Sequence, residues 1–137
     1  MPDVSNDTNT ESLTNSISEK VAEKSTLLND FDTFYAAWKN KGLTDLQRDH
    51  FEKSFVGQKV FWDVKINSIS EESDGYLWCS VGSVNKELSI EHAIAVFEPK
   101  YKEALLMVNT GEVVKYTGTI DSFSLSPVIK NSGISKH

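Results

Sequence analysis

The stretch Gly57-Gln58-Lys59-Val60-Phe61-Trp62-Asp63-Val64-Lys65-Ile66-Asn67 decides how this chain is read, and Gly111-Glu112-Val113-Val114-Lys115-Tyr116-Thr117-Gly118-Thr119-Ile120-Asp121 echoes it. Each opens on Gly plus a polar residue and runs into β-rich sequence with an apolar residue at every second position. Successive side chains of a strand point to opposite faces. The first stretch therefore sends Val60, Trp62, Val64 and Ile66 one way, and Lys59, Phe61, Asp63 and Lys65 the other. Long, half-buried strands of this kind are expected of a small, twisted, antiparallel barrel.

Working outward, Ser68 to Gly75 has the composition of a turn. Tyr76 to Val81 reads as a second strand, with Leu77, Cys79 and Val81 opposite Tyr76, Trp78 and Ser80. Gly82-Ser83 turns the chain, and Lys86 to Phe97 reads as a third strand, Leu88 and Ile90 inward and Glu87, Ser89 and Glu91 outward. Pro99 to Met107 is expected to be a short helix whose Tyr101, Leu105 and Val108 plug one end of the barrel, closed by Asn109-Thr110-Gly111. Glu112 to Ser124 and Pro127 to Ile134 supply the last two strands. The fold class is thus mainly β, a five-stranded OB-fold-like barrel with a short helix between strands 3 and 4. Gly57 and Gly118 suit the bends that strongly coiled strands need.

One or two helices precede the barrel. Phe31, Phe34, Tyr35 and Trp38 fall at i, i+3, i+4 and i+7, one stripe of a helix, with Asn29 or Asp30 to cap its start and Gly42 where it would stop. Thr44 as N-cap and Gln47 at the capping-box position start a second helix, with Leu46, His50, Phe51 and Phe55 on one side. Aromatic residues prefer burial, so the stripe is expected to dock onto the barrel. Residues 1–27 are rich in Ser, Thr, Asn, Asp and Glu and hold no aromatic residue, the composition of a disordered, acidic tail, although Ile17, Val21, Leu27 and Leu28 would suit a weak helix. The expected division is a tail at 1–27, a helical segment at 28–55 and the barrel at 56–137.

The bulk numbers bound the function. A chain of 137 residues makes one domain with a real core, at 39% hydrophobic and 25% charged residues and a mean hydropathy of −0.35. No apolar run reaches the roughly 18–20 residues that cross a bilayer. Met1-Pro2-Asp3-Val4-Ser5-Asn6-Asp7 lacks the basic and apolar regions of a signal peptide, so a cytoplasmic protein without a membrane partner is expected. Cys79 is the one cysteine, which excludes an intrachain disulfide and favours a buried hydrophobe. The net charge of −6 divides as nine acids against five bases in residues 1–50 and eleven against nine in residues 51–137. Avid, nonspecific nucleic-acid binders carry a basic footprint, which this average lacks.

Three segments resemble the bacterial OB-fold families related to the tRNA-anticodon-binding domain. They are Thr44-Asp45-Leu46-Gln47-Arg48 through Phe55-Val56-Gly57-Gln58-Lys59-Val60-Phe61-Trp62, then Gly111 to Ile120, and Pro127-Val128-Ile129-Lys130-Asn131-Ser132-Gly133-Ile134. The resemblance spans about residues 44–135 and rests on scaffold motifs. It implies ligand binding on a barrel face, and carries no ligand-contact motif over to this chain.

Signs of catalysis are sparse. His50, His92 and His137 have no metal-ligand spacing, and no nucleophile elbow, phosphate loop or dinucleotide fingerprint occurs. Glu71, Glu72 and Asp74 crowd one turn, which reads as a solvated acidic hairpin tip. The expectation is a non-enzyme without cofactor or metal. Binding is more legible. Parity places Lys59, Phe61 and Lys65 outward on the first strand, Tyr76 and Trp78 on the second, and Lys115 on the fourth. Aromatic planes flanked by lysines suit single-stranded DNA or RNA. Asp63, Glu87, Ser89 and Glu91 would oppose a polyanion, and the helices are an equally good cover for Phe61, Tyr76 and Trp78. Two functions stay open: a protein-interaction module (adaptor, inhibitor or assembly subunit) and a single-strand nucleic-acid binder on the same face. A partly closed barrel also leaves strand pairing with a partner or second copy open, and the oligomeric state with it.

Overall fold

The alternation beginning at Lys59 becomes a 13-residue strand, β1 (Lys59–Glu71), in which Val60, Trp62, Val64 and Ile66 are fully or almost fully buried. With β2 (Leu77–Gly82), β3 (His92–Phe97), β4 (Val113–Phe123) and β5 (Pro127–Lys136) it closes a barrel in the order β1-β2-β3-β5-β4. This is a computed structural model, and it describes residues 24–86 and 91–136. All pairings are antiparallel except β3 with β5, which meet in parallel at Ile94↔Val128 and Ala95↔Ile129. A 3₁₀ turn (Pro99–Tyr101) and a short helix join β3 to β4. Five strands in this order with a helical β3–β4 connection make the OB-fold architecture expected above.

Two differences from the expected strands matter for the surface. Ser68 to Glu71 continues β1 instead of turning, because a bulge between Ile66 and Ser68 absorbs Asn67 and shifts the register. An extra residue flips parity, so Ile69 now turns toward the core opposite Cys79 while Ser70 faces out opposite Trp78. In β3 the inward residues are Ala93, Ala95 and Phe97, and His92, Ile94 and Val96 alternate with them. The expected strand from Lys86 is thus corrected to a shorter one beginning at His92, since neither Lys86 nor Glu91 is in a strand. Leu88, Ile90, Glu87 and Ser89, His137 and the tail at 1–23 lie outside the described residues.

Helices close both ends of the barrel. The helix α1 (Phe31–Trp38) is capped by Asp30, whose carboxylate accepts from the Thr33 amide at 2.9 Å. Its stripe is buried as expected: Phe34 packs against Trp62 (ring centroids 5.3 Å apart) and Phe123 (6.1 Å), and Phe31 meets Trp62 edge-on. The helix α2 (Asp45–Phe55) starts in the Thr44/Gln47 capping box. Phe51 and Phe55 close on Phe34, whereas Leu46 and His50 face solvent, because only the second half of α2 reaches the barrel. Arg48 ties the pair, donating to the carbonyls of Trp38 and Asn40. Residues 24–29 are helical as well, and the buried Trp62 indole donates to the Leu27 carbonyl at 3.2 Å. The packed part of the chain therefore begins before residue 28. At the other end, the β3–β4 helix α3 (Lys102–Leu106) inserts Leu105, with Tyr101 and Val108 beside it.

Inside, Gly118 is fixed by space. A Cβ there would lie 2.5 Å from the Tyr116 hydroxyl and 2.6 Å from Ile129. Gly57 and Gly111 instead serve turns, at φ of +88° and +87°.

Candidate binding faces

Because the helices cap the ends, the barrel wall stays open. Phe61, Tyr76 and Trp78 are 50%, 40% and 42% exposed, so the described helices, the alternative cover, leave all three open. The six sequence-predicted residues do not form one surface, however. Trp78 pairs with Ser70 and Phe61 with Thr117, so the two rings sit by opposite ends of β1, about 30 Å apart along the strand path. A strand that curls round a barrel carries its outward residues into different sectors.

The first sector is a groove of about 840 Å³ across β2, β3 and β5, bounded by the β1–β2 turn at Asp74 and by the β4–β5 loop at Ser124 to Ser126. Tyr76, just before β2, and Trp78, on its outer face, form a ledge, and Ile94, Val96 and Val128 form the floor. Leu125 stands over it at 89% exposed. The loop is held to β3 by a 3.0 Å hydrogen bond between the buried Ser126 hydroxyl and His92 Nε2. Three carboxylates (Asp74, Glu98, Asp121) face one lysine (Lys130), a local charge of −2 with His92 neutral. Lys130 is itself 3.5 Å from Asp121. Of the predicted set, Asp63 and Glu91 do not line this groove, and Glu87 and Ser89 lie outside the described residues. Glu91 sits just before β3, half-buried and paired with Lys86 at 2.8 Å. Sequence reasoning missed Ile94, Val128 and Leu125; the exposed Leu between three serines at 122–126 was the available signal.

The second sector is the β1–β4 face, and it gathers the other four predicted residues. Cross-strand pairs Lys59↔Thr119, Phe61↔Thr117, Asp63↔Lys115 and Lys65↔Val113 lay them out in successive rows. Lys59 Nζ stands 5.5 Å from the Phe61 ring centroid. A hollow of about 530 Å³ beside Phe61 and Lys115 extends over β5 to Gly133 and to Tyr101.

No protein-family model and no curated protein matches this chain. Among solved structures, the chain is similar to a Klebsiella pneumoniae lipoprotein provisionally described as nucleic acid-binding. The two are 14% identical, with a TM-score of 0.54 over 61% of this chain and 75% of that one. Asparaginyl-tRNA synthetase from Pyrococcus horikoshii is 8% identical, with a TM-score of 0.47 over 64% of this chain and 22% of that one. The protein priB from Ralstonia solanacearum is 13% identical, with a TM-score of 0.42 over 58% and 97%. At these identities the likeness is one of fold.

Among the described residues, no three His, Cys, Asp or Glu side chains converge to hold a metal ion. No helix among them is long and apolar enough to cross a membrane.

Proposed function

We propose that this chain is a non-catalytic OB-fold binding module, an adaptor, inhibitor or assembly subunit that holds an extended segment of a protein partner in the groove over β2, β3 and β5. The observation that carries this reading is the pairing of an apolar floor and an exposed Tyr76/Trp78 ledge with an acidic rim. Aromatic anchors in a concave, mostly apolar patch with a polar rim are the composition that protein interfaces favour. Asp74, Glu98 and Asp121 select lysine- or arginine-bearing segments and oppose a phosphate backbone. The reading without catalysis accords with the thiol of Cys79, which burial pushes up to about 12, away from thiolate chemistry at neutral pH.

A second reading, single-stranded DNA or RNA in the same groove, draws on the exposed Tyr76 and Trp78 rings that line it, which bases could stack on, and on the fold shared with the Klebsiella lipoprotein. Selection of a random 12-residue peptide library on the full chain separates the two. The protein-partner reading expects basic and aliphatic peptides to be enriched, and their binding to be lost in Trp78→Ala. Enrichment that ignores Trp78, or displacement of the selected peptides by oligo-dT, would contradict it.

A further inference from the structure

We infer that the β1–β4 face is a site for single-stranded nucleic acid, separate from the groove over β2, β3 and β5 that the proposed function assigns to a protein partner. Lys53, Lys86, Lys100, Lys102 and Lys130 each have a carboxylate within 4.0 Å. Among the described residues no such ion pair involves Lys59, Lys65 or Lys115, and these three share one outward face with a single acid, Asp63. Within the paired rows Lys59–Lys65 and Val113–Thr119 that is a charge of +2, on a chain whose net charge is −6; Asp30 and Asp32 lie beside Asp63 at the α1 edge, and Asp121, paired with Lys130, stands beyond the last row. Lys59 and Lys115 are exposed and Lys65 half-buried. From Lys59 to Lys65 the face runs about 20 Å along β1, the reach of a few nucleotides rather than of a single phosphate.

A plane for stacking lies within that row of cations. Phe61 is half exposed on the outer wall, so its ring is open to a ligand. Its cross-strand neighbour Thr117 pairs in turn with Gly133 on β5. A side chain at Gly133 would press on the Thr117 hydroxyl at 3.3 Å and approach the Tyr101 hydroxyl at 3.7 Å, so glycine keeps the hollow beside the ring open. The site thus offers the Phe61 ring with Lys59 Nζ 5.5 Å from its centroid, and beside it a hollow lined by Thr117, Ser135 and Lys115. Stacking plus backbone neutralisation is the chemistry that recognises a single strand with little sequence preference. The groove over β2, β3 and β5, with Asp74, Glu98 and Asp121 against Lys130, is the less favourable wall for a polyanion.

Fluorescence anisotropy of labelled oligo-dT with the full chain tests the assignment. Wild type is expected to bind saturably, log K falling with log salt at a slope of about −2 for three lysine–phosphate contacts. Phe61→Ala is expected to weaken binding about tenfold or more. Lys115→Gln, an exposed change that leaves the fold intact, is expected to make the salt slope shallower by about 0.7. Trp78→Ala is expected to leave oligo-dT binding unchanged. Loss of binding in Trp78→Ala with Phe61→Ala silent would place the strand in the groove and overturn the inference, as would no binding at low salt.

Discussion

The groove over β2, β3 and β5 and the face of β1 and β4 are outer walls of the same barrel, each with exposed aromatic rings, yet their charges are opposite. The groove sets Asp74, Glu98 and Asp121 against Lys130, while the other face sets Lys59, Lys65 and Lys115 against Asp63. Their relief differs too. Two loops wall the groove, and the pinned Ser126–His92 contact fixes one of them. The β1–β4 face is a ladder of cross-strand rows with a shallow hollow at Gly133. Apolar depth with an acidic rim suits a polypeptide side chain, whereas a flat cationic row around one ring suits a charged backbone. Averaged over the chain, the −6 conceals the second face.

The comparison presumes a common scaffold, and the strongest perturbation should treat both faces alike. Phe34→Ala removes the ring that joins Trp62, Phe55 and Phe123, and is expected to cost about 3–5 kcal/mol of stability by denaturant unfolding. If it spared stability but impaired one ligand, α1 would belong to that face rather than to the scaffold. Trp78→Ala sharpens the contrast. It is expected to cost about 2 kcal/mol in binding of a selected basic peptide, read by calorimetry, while stability shifts by about 0.5 kcal/mol at most. A smaller effect checks that the caps are remote from both faces. Thr44→Ala breaks the capping box of α2 and is expected to cost about 1 kcal/mol of stability with neither affinity changed once folded. The least effect in energy is the most selective. Asp121→Asn should make peptide binding less salt-dependent and leave the oligo-dT salt slope as it was.

Much of this architecture could be read from residues alone, for a reason visible in β1 and β4. A barrel wall has one dry side, so Val60 to Ile66 and Val114 to Ile120 alternate plainly. Legibility failed where that rule is interrupted. The bulge at Asn67 reversed parity, and the outward serines and acids beyond it looked like a turn. In β3 two of the three inward positions are Ala93 and Ala95, too small to dominate the pattern, so the strand's start at His92 was not legible. The candidate site failed differently. Parity identified Lys59, Phe61, Lys65, Tyr76, Trp78 and Lys115 as outward, and each is at least partly exposed. Outward on a closed barrel names a wall without naming its sector. Only register, Phe61 against Thr117 and Trp78 against Ser70, shows that four residues belong together and two belong elsewhere.

The most direct test of two separate faces is amide chemical-shift mapping of the ¹⁵N-labelled full chain titrated with oligo-dT. The account predicts that shifts concentrate at residues 59–65, 113–119 and 133–135, leaving Tyr76, Trp78, Ile94 and Leu125 unmoved. Shifts centred on those four residues, or spread evenly over both walls, would contradict it.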